Sequence, residues 1–267
     1  MTTKEFSARF DVLYNNINSE QAPGLNEYEK SVFLTKAQEE FVLSLYNGRN
    51  AAGLSFEVTE EVRRYLGSLI KSKRIERGYP TDVKSVEGDS NIFKISKKDD
   101  DMDGLFVLPP DLYFIITEQV EYDGEDKCIG GTLANVYPIT ADEYSKIKNN
   151  PFRGITKYKA VRLDVGQVTL TYENESTEET DDTKTNNEVV EVISTYPVSA
   201  YIIRYLASPK PIILEDIVNG SIDYAGMDLK IKGENKKSEC ELPESTHEAI
   251  LQAAVNLAKV AWTTTVH

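Results

Sequence analysis

The sequence predicts an α+β protein: a helical bundle built from the N- and C-terminal segments, with an inserted, mainly antiparallel β region between them. Three observations carry that reading. Apolar residues recur at helical spacing through roughly the first 78 positions and again after Pro243. Between these stretches, runs rich in β-branched and aromatic residues are bounded by Gly, Pro, Asp and Asn, as strands are. A chain of 267 residues, 40% of them hydrophobic, is long enough for one large core or two modest ones. The expected organisation is a helical segment 1–80, a β-rich region 81–240, and a C-terminal helix 241–267 that returns to the bundle.

In the first helix, "KEFSARFDVLYNNIN", Phe6, Phe10, Leu13, Tyr14 and Ile17 share one face, and "QAPG" at 21–24 ends it. The second, "EYEKSVFLTKAQEEFVLSLYNG", places Tyr28, Val32, Leu34, Phe41, Val42, Leu43, Leu45 and Tyr46 on an arc of roughly 200°, with Phe33 and Ala37 beyond it. A solvated helix needs a stripe only a little over about 100° wide. Either several helices of the same chain cover this surface, or part of it packs on another subunit. Tyr28, Val32, Phe33, Phe41 and Tyr46 are the candidate subunit-interface residues. Gly48 is placed to take the left-handed conformation that closes the helix. A third helix is expected from "TEEVRRYLGSLIKSKR", with Thr59 as N-cap and Glu60 and Glu61 near the positive end of the dipole.

After Pro80 the segments "NIFKIS", "GLFVLP", "DLYFIITEQVEY", "KAVRLDVGQVTLTY", "EVVEVISTYPV" and "AYIIRYLA" read as strands of an antiparallel sheet or sandwich. One helix interrupts them at "TADEYSKIKNN", where Thr140 and Glu143 form a capping box and Pro151 stops the helix. Residues 173–188 carry seven acids, one lysine and no apolar side chain, so burial cannot offset the entropy of ordering them. They are expected as a long solvated hairpin tip, or as a loop ordered by a basic partner. In the last helix His247, Ile250, Leu251, Ala254, Val255, Ala258 and Trp262 form the apolar face, with Pro243 at its start.

Composition removes several function classes. The 44 acids outnumber 30 Lys and Arg, and a net charge of -14 opposes binding to nucleic acid or to an anionic membrane. The start lacks an apolar core and no run of about 18 apolar residues occurs, so neither a signal peptide nor a membrane span is expected, and a cytoplasm is the default place of synthesis. Cys128 and Cys240 lack metal-ligand spacing and are expected reduced. Asp99, Asp101, Asp103 and Gly104 imitate half of a calcium loop, but Val107 and Pro110 stand where the later ligands belong. His247 begins a zinc-protease-like "HEAIL", with Leu251 where the second histidine would be. With only His247 and His267 in the chain, no phosphate-cradling glycine loop and no nucleophile elbow, no catalytic residue and no cofactor are expected. One basic cluster stands out: Arg63, Arg64, Lys71, Arg74 and Arg77 fall within about 140° on the expected third helix, either flanking a buried stripe or docking an acidic partner or DNA phosphate.

The segments "EYEKSVFLTKAQEEFVLSLY", "VYPITADEYSKIKNNPF", "RYLASPKPIIL" and "ELPESTHEAILQAAVNLA" resemble the ring, or head-to-tail adaptor, structural proteins of crAss-like phages, short-tailed viruses of gut Bacteroidales. The likeness lies in packing and turn residues across both helical ends and parts of the β region. It implies a virion protein made in the host cytoplasm and assembled as a homo-oligomeric ring, commonly twelvefold, between the portal and neighbouring ring and tail proteins. DNA would pass through the lumen without sequence-specific binding, sliding past an acidic wall that repels its backbone. Ring contacts are heterologous, which would give the broad helix surface a second use. Another tail or capsid-accessory protein, and a soluble module that binds a small ligand or glycan, are the alternatives.

Overall fold

In the computed structural model the residues described are 1–15, 24–49, 56, 59–77, 83–87, 103–124, 129–148, 150, 152, 154–172, 183–217 and 229–265. The chain is mixed α+β and divides into two compact units, one of Met1–Leu69 with Ser208–His267 and one of Ile70–Ala207.

The first unit holds α1 (Thr3–Asn15), α2 (Glu27–Tyr46), the short α3 (Glu60–Tyr65) and α5 (Glu244–Thr265). Phe6, Phe10 and Tyr14 bury the expected face of α1, and His247, Ile250, Leu251, Ala254, Val255 and Ala258 bury that of α5. Ile17 lies outside the described residues, as does the side chain of Trp262. Helix α5 packs on both α1 and α2. The α1–α5 contact is fixed by an Arg9–Glu248 pair at 3.1 Å and by Lys259 Nζ donating to the Leu13 carbonyl at 3.0 Å.

Helix α2 begins at a capping box: the Asn26 side chain accepts from Glu29 N at 2.8 Å, and Glu29 Oε2 accepts from Asn26 N at 3.0 Å. It ends as expected, with Gly48 at φ 70°. What covers it explains much of its breadth. Ser31, Thr35 and Gln38, three polar residues on one side, are buried against the extended segment 210–214. Leu214 N donates to Ser31 Oγ at 3.0 Å, Ile212 N to Thr35 Oγ1 at 3.1 Å, and Gln38 Nε2 to the Lys210 carbonyl at 3.0 Å. The extended chain thus finds hydrogen-bond partners on a helix at 210, 212 and 214, while Ile213 between them pairs with Ser238 in an antiparallel bridge. On the other side Lys30, buried, donates to Asp11 Oδ2 at 2.8 Å and Glu27 Oε1 at 2.9 Å, joining α1 to α2. Burial opposes its charge, and these carboxylates override that and raise its pKa.

The expected third helix is corrected. It ends at Tyr65, a 3-10 turn follows at Gly67–Leu69, and "IKSKRIE" is the strand β1 (Ile70–Glu76). The helical spacing of its apolar residues is overridden by seven backbone pairings with β8 (Val198–Ala207). Thr59 takes the N-cap position but makes no side-chain cap bond.

The second unit is a curled sheet. Its other strands are β2 (Val83–Glu87), β3 (Asp103–Val107), β4 (Leu112–Tyr122), β5 (Leu133–Pro138), β6 (Lys159–Tyr172) and β7 (Thr183–Ile193), in the order β1-β8-β4-β5-β6-β7-β3 with β2 added on β6. All pairings are antiparallel except β5–β6, whose crossover carries α4 (Ala141–Lys148). The Thr140 capping box forms: Glu143 N donates to Thr140 Oγ1 at 3.3 Å and Thr140 N to Glu143 Oε2 at 3.1 Å. A bulge at Gly166, φ 132°, bends the long β6. The sheet curls until Phe106 of β3 and Tyr201 of β8, near its opposite ends, lie 5.3 Å apart ring to ring.

Three expectations meet limits or change here. "NIFKIS" and most of the calcium-like loop lie outside the described residues, while Asp103 and Gly104 belong to β3. Thr183–Glu188, expected in the acidic loop 173–188, are strand: they extend β7 against Gln167–Tyr172, where ladder hydrogen bonds order a polar sequence that burial alone would not. Cys240 is a free thiol, its pKa pushed up to about 11 by burial, and Cys128 lies outside the described residues. No helix among the described residues is long and apolar enough to cross a membrane.

Candidate functional site

The curled sheet encloses one polar group of interest. Glu118 and Arg162 stand on its inner face with their charged ends 3.1 Å apart, and both side chains are nearly buried. Tyr201 Oη donates to Glu118 Oε2 at 2.6 Å. Desolvation raises the pKa of Glu118 despite these partners, and burial beside Glu118 raises Tyr201 well above the ordinary phenol range. The Arg162 Nε contact is close enough for an ion pair, but its angle does not make a hydrogen bond. Near β1, Lys71 Nζ donates to Asp111 Oδ2 at 2.7 Å and Tyr205 Oη to Asp111 Oδ1 at 3.1 Å. Burial favours the neutral acid here, and the two hydrogen bonds outweigh it, holding Asp111 below its usual value. Both groups knit strands together.

A surface depression lined by Glu60, Glu61, Arg64, Tyr65 and Ser245 offers little more chemistry. Tyr65 Oη donates to Glu61 at 2.6 Å and Arg64 faces Glu60 at 3.6 Å, so its polar groups are engaged with one another.

The apolar surface is more informative. On α2 the fully buried residues run from Ala37 through Leu34 and Leu45 to Thr35, an arc of roughly 160°. Tyr28, Val32, Leu43 and Tyr46 line one edge of that arc and Phe33 the other, all only partly covered; Val32 is 38% exposed. Tyr46 stacks on Phe56 at 6.1 Å. Phe41 lies within the arc yet is also half-buried. The chain's own partners therefore cover the centre of the arc and leave its flanks partly in solvent.

The basic residues do not form one helical face. Arg63 and Arg64 are on α3, Lys71 and Arg74 on β1, and Arg77 just after it. Lys71 is paired with Asp111, and Arg74 with Glu121. Successive residues of a strand alternate sides, which separates Lys71 from Arg74.

Sequence reasoning missed a second apolar surface. On β5, Ala134 and Val136 point into the core while Leu133 and Tyr137 point out, 46% and 48% exposed. The crossover back to β6 carries Phe152, 95% exposed, and Tyr158, 65% exposed. The signal was an isolated aromatic in the turn-rich "NNPFRG" and a strand too short to stand out in "LANVYP".

Comparison with known proteins bears on what such surfaces do. Residues 1–267 match the model of the family described as phage tail ring protein 3/4. The chain is 38% identical over 266 residues to Ring protein 3 of Bacteroides phage crAss001, covering 98% of this chain and 97% of that one. It is 35% identical over 264 residues to Ring protein 4/5 of the same phage, covering 98% and 94%.

Proposed function

The chain belongs to the phage tail ring protein 3/4 family, the structural ring proteins of crAss-like phages, and from that premise we propose that its copies close into a ring at the head-to-tail junction of the virion. In this reading the ring is twelvefold and stacks between the portal and other ring or tail proteins after synthesis in the host cytoplasm. It seals the junction and conducts DNA during packaging and ejection. The helices of both chain ends act as one bundle that carries the inserted β region.

The observation that carries the reading is the pair of partly covered apolar edges on α2. Tyr28, Val32, Phe33 and Tyr46 on those edges, and Phe41 within the arc, remain partly exposed after α1, α5 and the segment 210–214 have taken their places, and a ring contact would cover them further. The net charge of -14 supports passage of DNA, because an acidic wall repels phosphate. Arg63, Arg64, Lys71, Arg74 and Arg77 serve as contacts to an acidic neighbour or to DNA phosphate. Lys71 and Arg74 are already paired within the sheet and Arg64 faces Glu60, so exposed Arg63 is the stronger member.

Negative-stain imaging and mass photometry of the purified full chain test this. Rings, weakened when Val32 is changed to Glu, are expected. A protein that stays monomeric at high concentration and is absent from rings on virions would overturn it.

A further inference from the structure

The outward face of β5 and the turn that leads into β6 set exposed aromatic rings beside lysines. Asn135 N donates to the Tyr158 carbonyl at 3.1 Å, so the turn is tied to the strand. Thr156 and Lys159 exchange backbone hydrogen bonds at 3.1 and 3.0 Å, which puts Lys157 and Tyr158 at the tip of a tight turn. Lys159 Nζ lies 5.5 Å from the centre of the Tyr137 ring, and Lys157 Nζ 5.7 Å from that of Tyr158. Each exposed tyrosine is thus paired with a cation. Leu133 lies on the same face of β5 as Tyr137, and Phe152 precedes the turn in the same crossover.

We infer that this surface, Leu133, Tyr137 and Tyr158 with Lys157 and Lys159, is buried against a second copy of this chain, together with the exposed Phe152 of the same crossover. The inference rests on the ring reading above and names a contact surface for it. Two arguments choose the occupant. The first is charge: a copy bearing -14 is repelled by most of its twin, and an aromatic surface carrying two lysines is where an acidic twin is attracted. The second is symmetry: a heterologous contact needs two different faces on each copy, and the half-exposed edges of α2 supply only one. Exposed aromatic rings are also the residue types that anchor protein interfaces.

The test uses the full chain. Phe152→Ser and Tyr158→Ser are compared with the unaltered protein by mass photometry, and Lys157→Glu with Lys159→Glu form a third variant. All four positions are on the surface, and circular dichroism checks that each variant is folded. Each aromatic substitution is expected to raise the concentration needed for assembly at least about tenfold, the effect of losing a well-packed anchor. Benzoyl-phenylalanine placed at position 152 is expected to cross-link one copy to another on irradiation. If the unaltered chain forms rings while the variants assemble equally well, or position 152 yields no copy-to-copy product, this surface is not the contact and the ring reading stands. If the unaltered chain forms no rings, the ring reading fails and this inference with it.

Discussion

Replacing Arg162 with Met should destabilise the sheet unit by about 3 kcal/mol at pH 7, and the figure follows from what is left behind. Arg162 keeps its stem volume as Met, so packing changes little. Its partner Asp164 is exposed and returns to water at small cost. Glu118 cannot return to water: it is nearly buried and retains only the Tyr201 hydroxyl. Losing one member of a buried pair costs about 3–5 kcal/mol, but the carboxyl has an escape, which is to take up a proton. From the ordinary value of 4.5, protonation at pH 7 costs about 3.4 kcal/mol, and less here because desolvation has already raised Glu118. That escape sets the upper limit. It also fixes the pH dependence: because the folded carboxyl binds its proton more tightly than the unfolded one, stability is greatest below about pH 4.5 and is lost as pH rises through the folded value. The penalty of the variant should therefore shrink by more than half between pH 7 and pH 5. A double variant, Glu118→Met with Arg162→Met, removes both charges and should be more stable than Arg162→Met alone. Native-state hydrogen exchange at the amides of β4, β6 and β8 reads the opening free energy of this unit. Equal losses at both pH values, or a double variant that loses the sum of the two singles, would refute the reasoning.

Other consequences concern the helical unit. His247 is held neutral: burial lowers its pKa, its Nε2 donates to the Leu242 carbonyl at 2.8 Å, and Nδ1 faces the Met1 amine at 2.8 Å. The unfolded chain takes a proton near pH 6.5 and the folded one only below it, so exchange protection of α1 and α5 should be full above about pH 6.5 and fall as the solution is acidified, a slope that His247→Gln removes. Lys30→Met leaves Asp11 and Glu27 facing each other without their shared cation; because both acids are partly exposed, the expected loss is about 1–2 kcal/mol in urea titration. Gly48→Ala forces a side chain into φ 70° and should lower stability by about 1 kcal/mol, measurable in the same titration.

How far the sequence could be read followed the length of each pattern. Helices α1, α2 and α5 announced themselves because each sets several apolar residues at 3.6-residue spacing, and the capping box at Thr140 announced α4. Strand β1 did not, since "IKSKRIE" holds only two isoleucines, five apart, a spacing that shares one face of neither a helix nor a strand. Only pairing with β8 decides between them, and no local pattern encodes a partner far along the chain. The acidic stretch misled in the same way at Thr183–Glu188, where hydrogen bonding to β6, not burial, imposes order. For the surfaces, the breadth of α2 was visible in its residues. The partner of its polar side was not, because Ser31, Thr35 and Gln38 lie inside its broad arc with hydrogen-bonding groups whose partners, in segment 210–214, are far along the chain. The outward face of β5 went unseen because the alternation of Leu133, Ala134, Val136 and Tyr137 is apolar on both sides.

Assembly of so acidic a chain sets a long-range repulsion against a short-range attraction, and their relative size can be worked out. Repulsion between copies acts over a Debye length, about 10 Å at 0.1 M salt, and weakens as salt is added. In the inferred contact the lysines beside Tyr137 and Tyr158 would add surface ion pairs worth about 0–1 kcal/mol each, which salt also weakens. Burying one exposed aromatic ring removes about 150 Å² of surface from water, roughly 3–4 kcal/mol at about 25 cal/mol per Å², and salt does not screen this. In the contact inferred above, Phe152, almost wholly exposed, would make that contribution nearly in full. The apolar contribution therefore outweighs the pairs that salt would dissolve, while the repulsion that salt removes is shared by the whole surface. Assembly should strengthen as ionic strength rises from about 0.05 to 0.5 M, read by mass photometry at fixed protein concentration. Rings that fall apart over that range would mean that lysine–carboxylate pairs, not the aromatic side chains, hold the copies together.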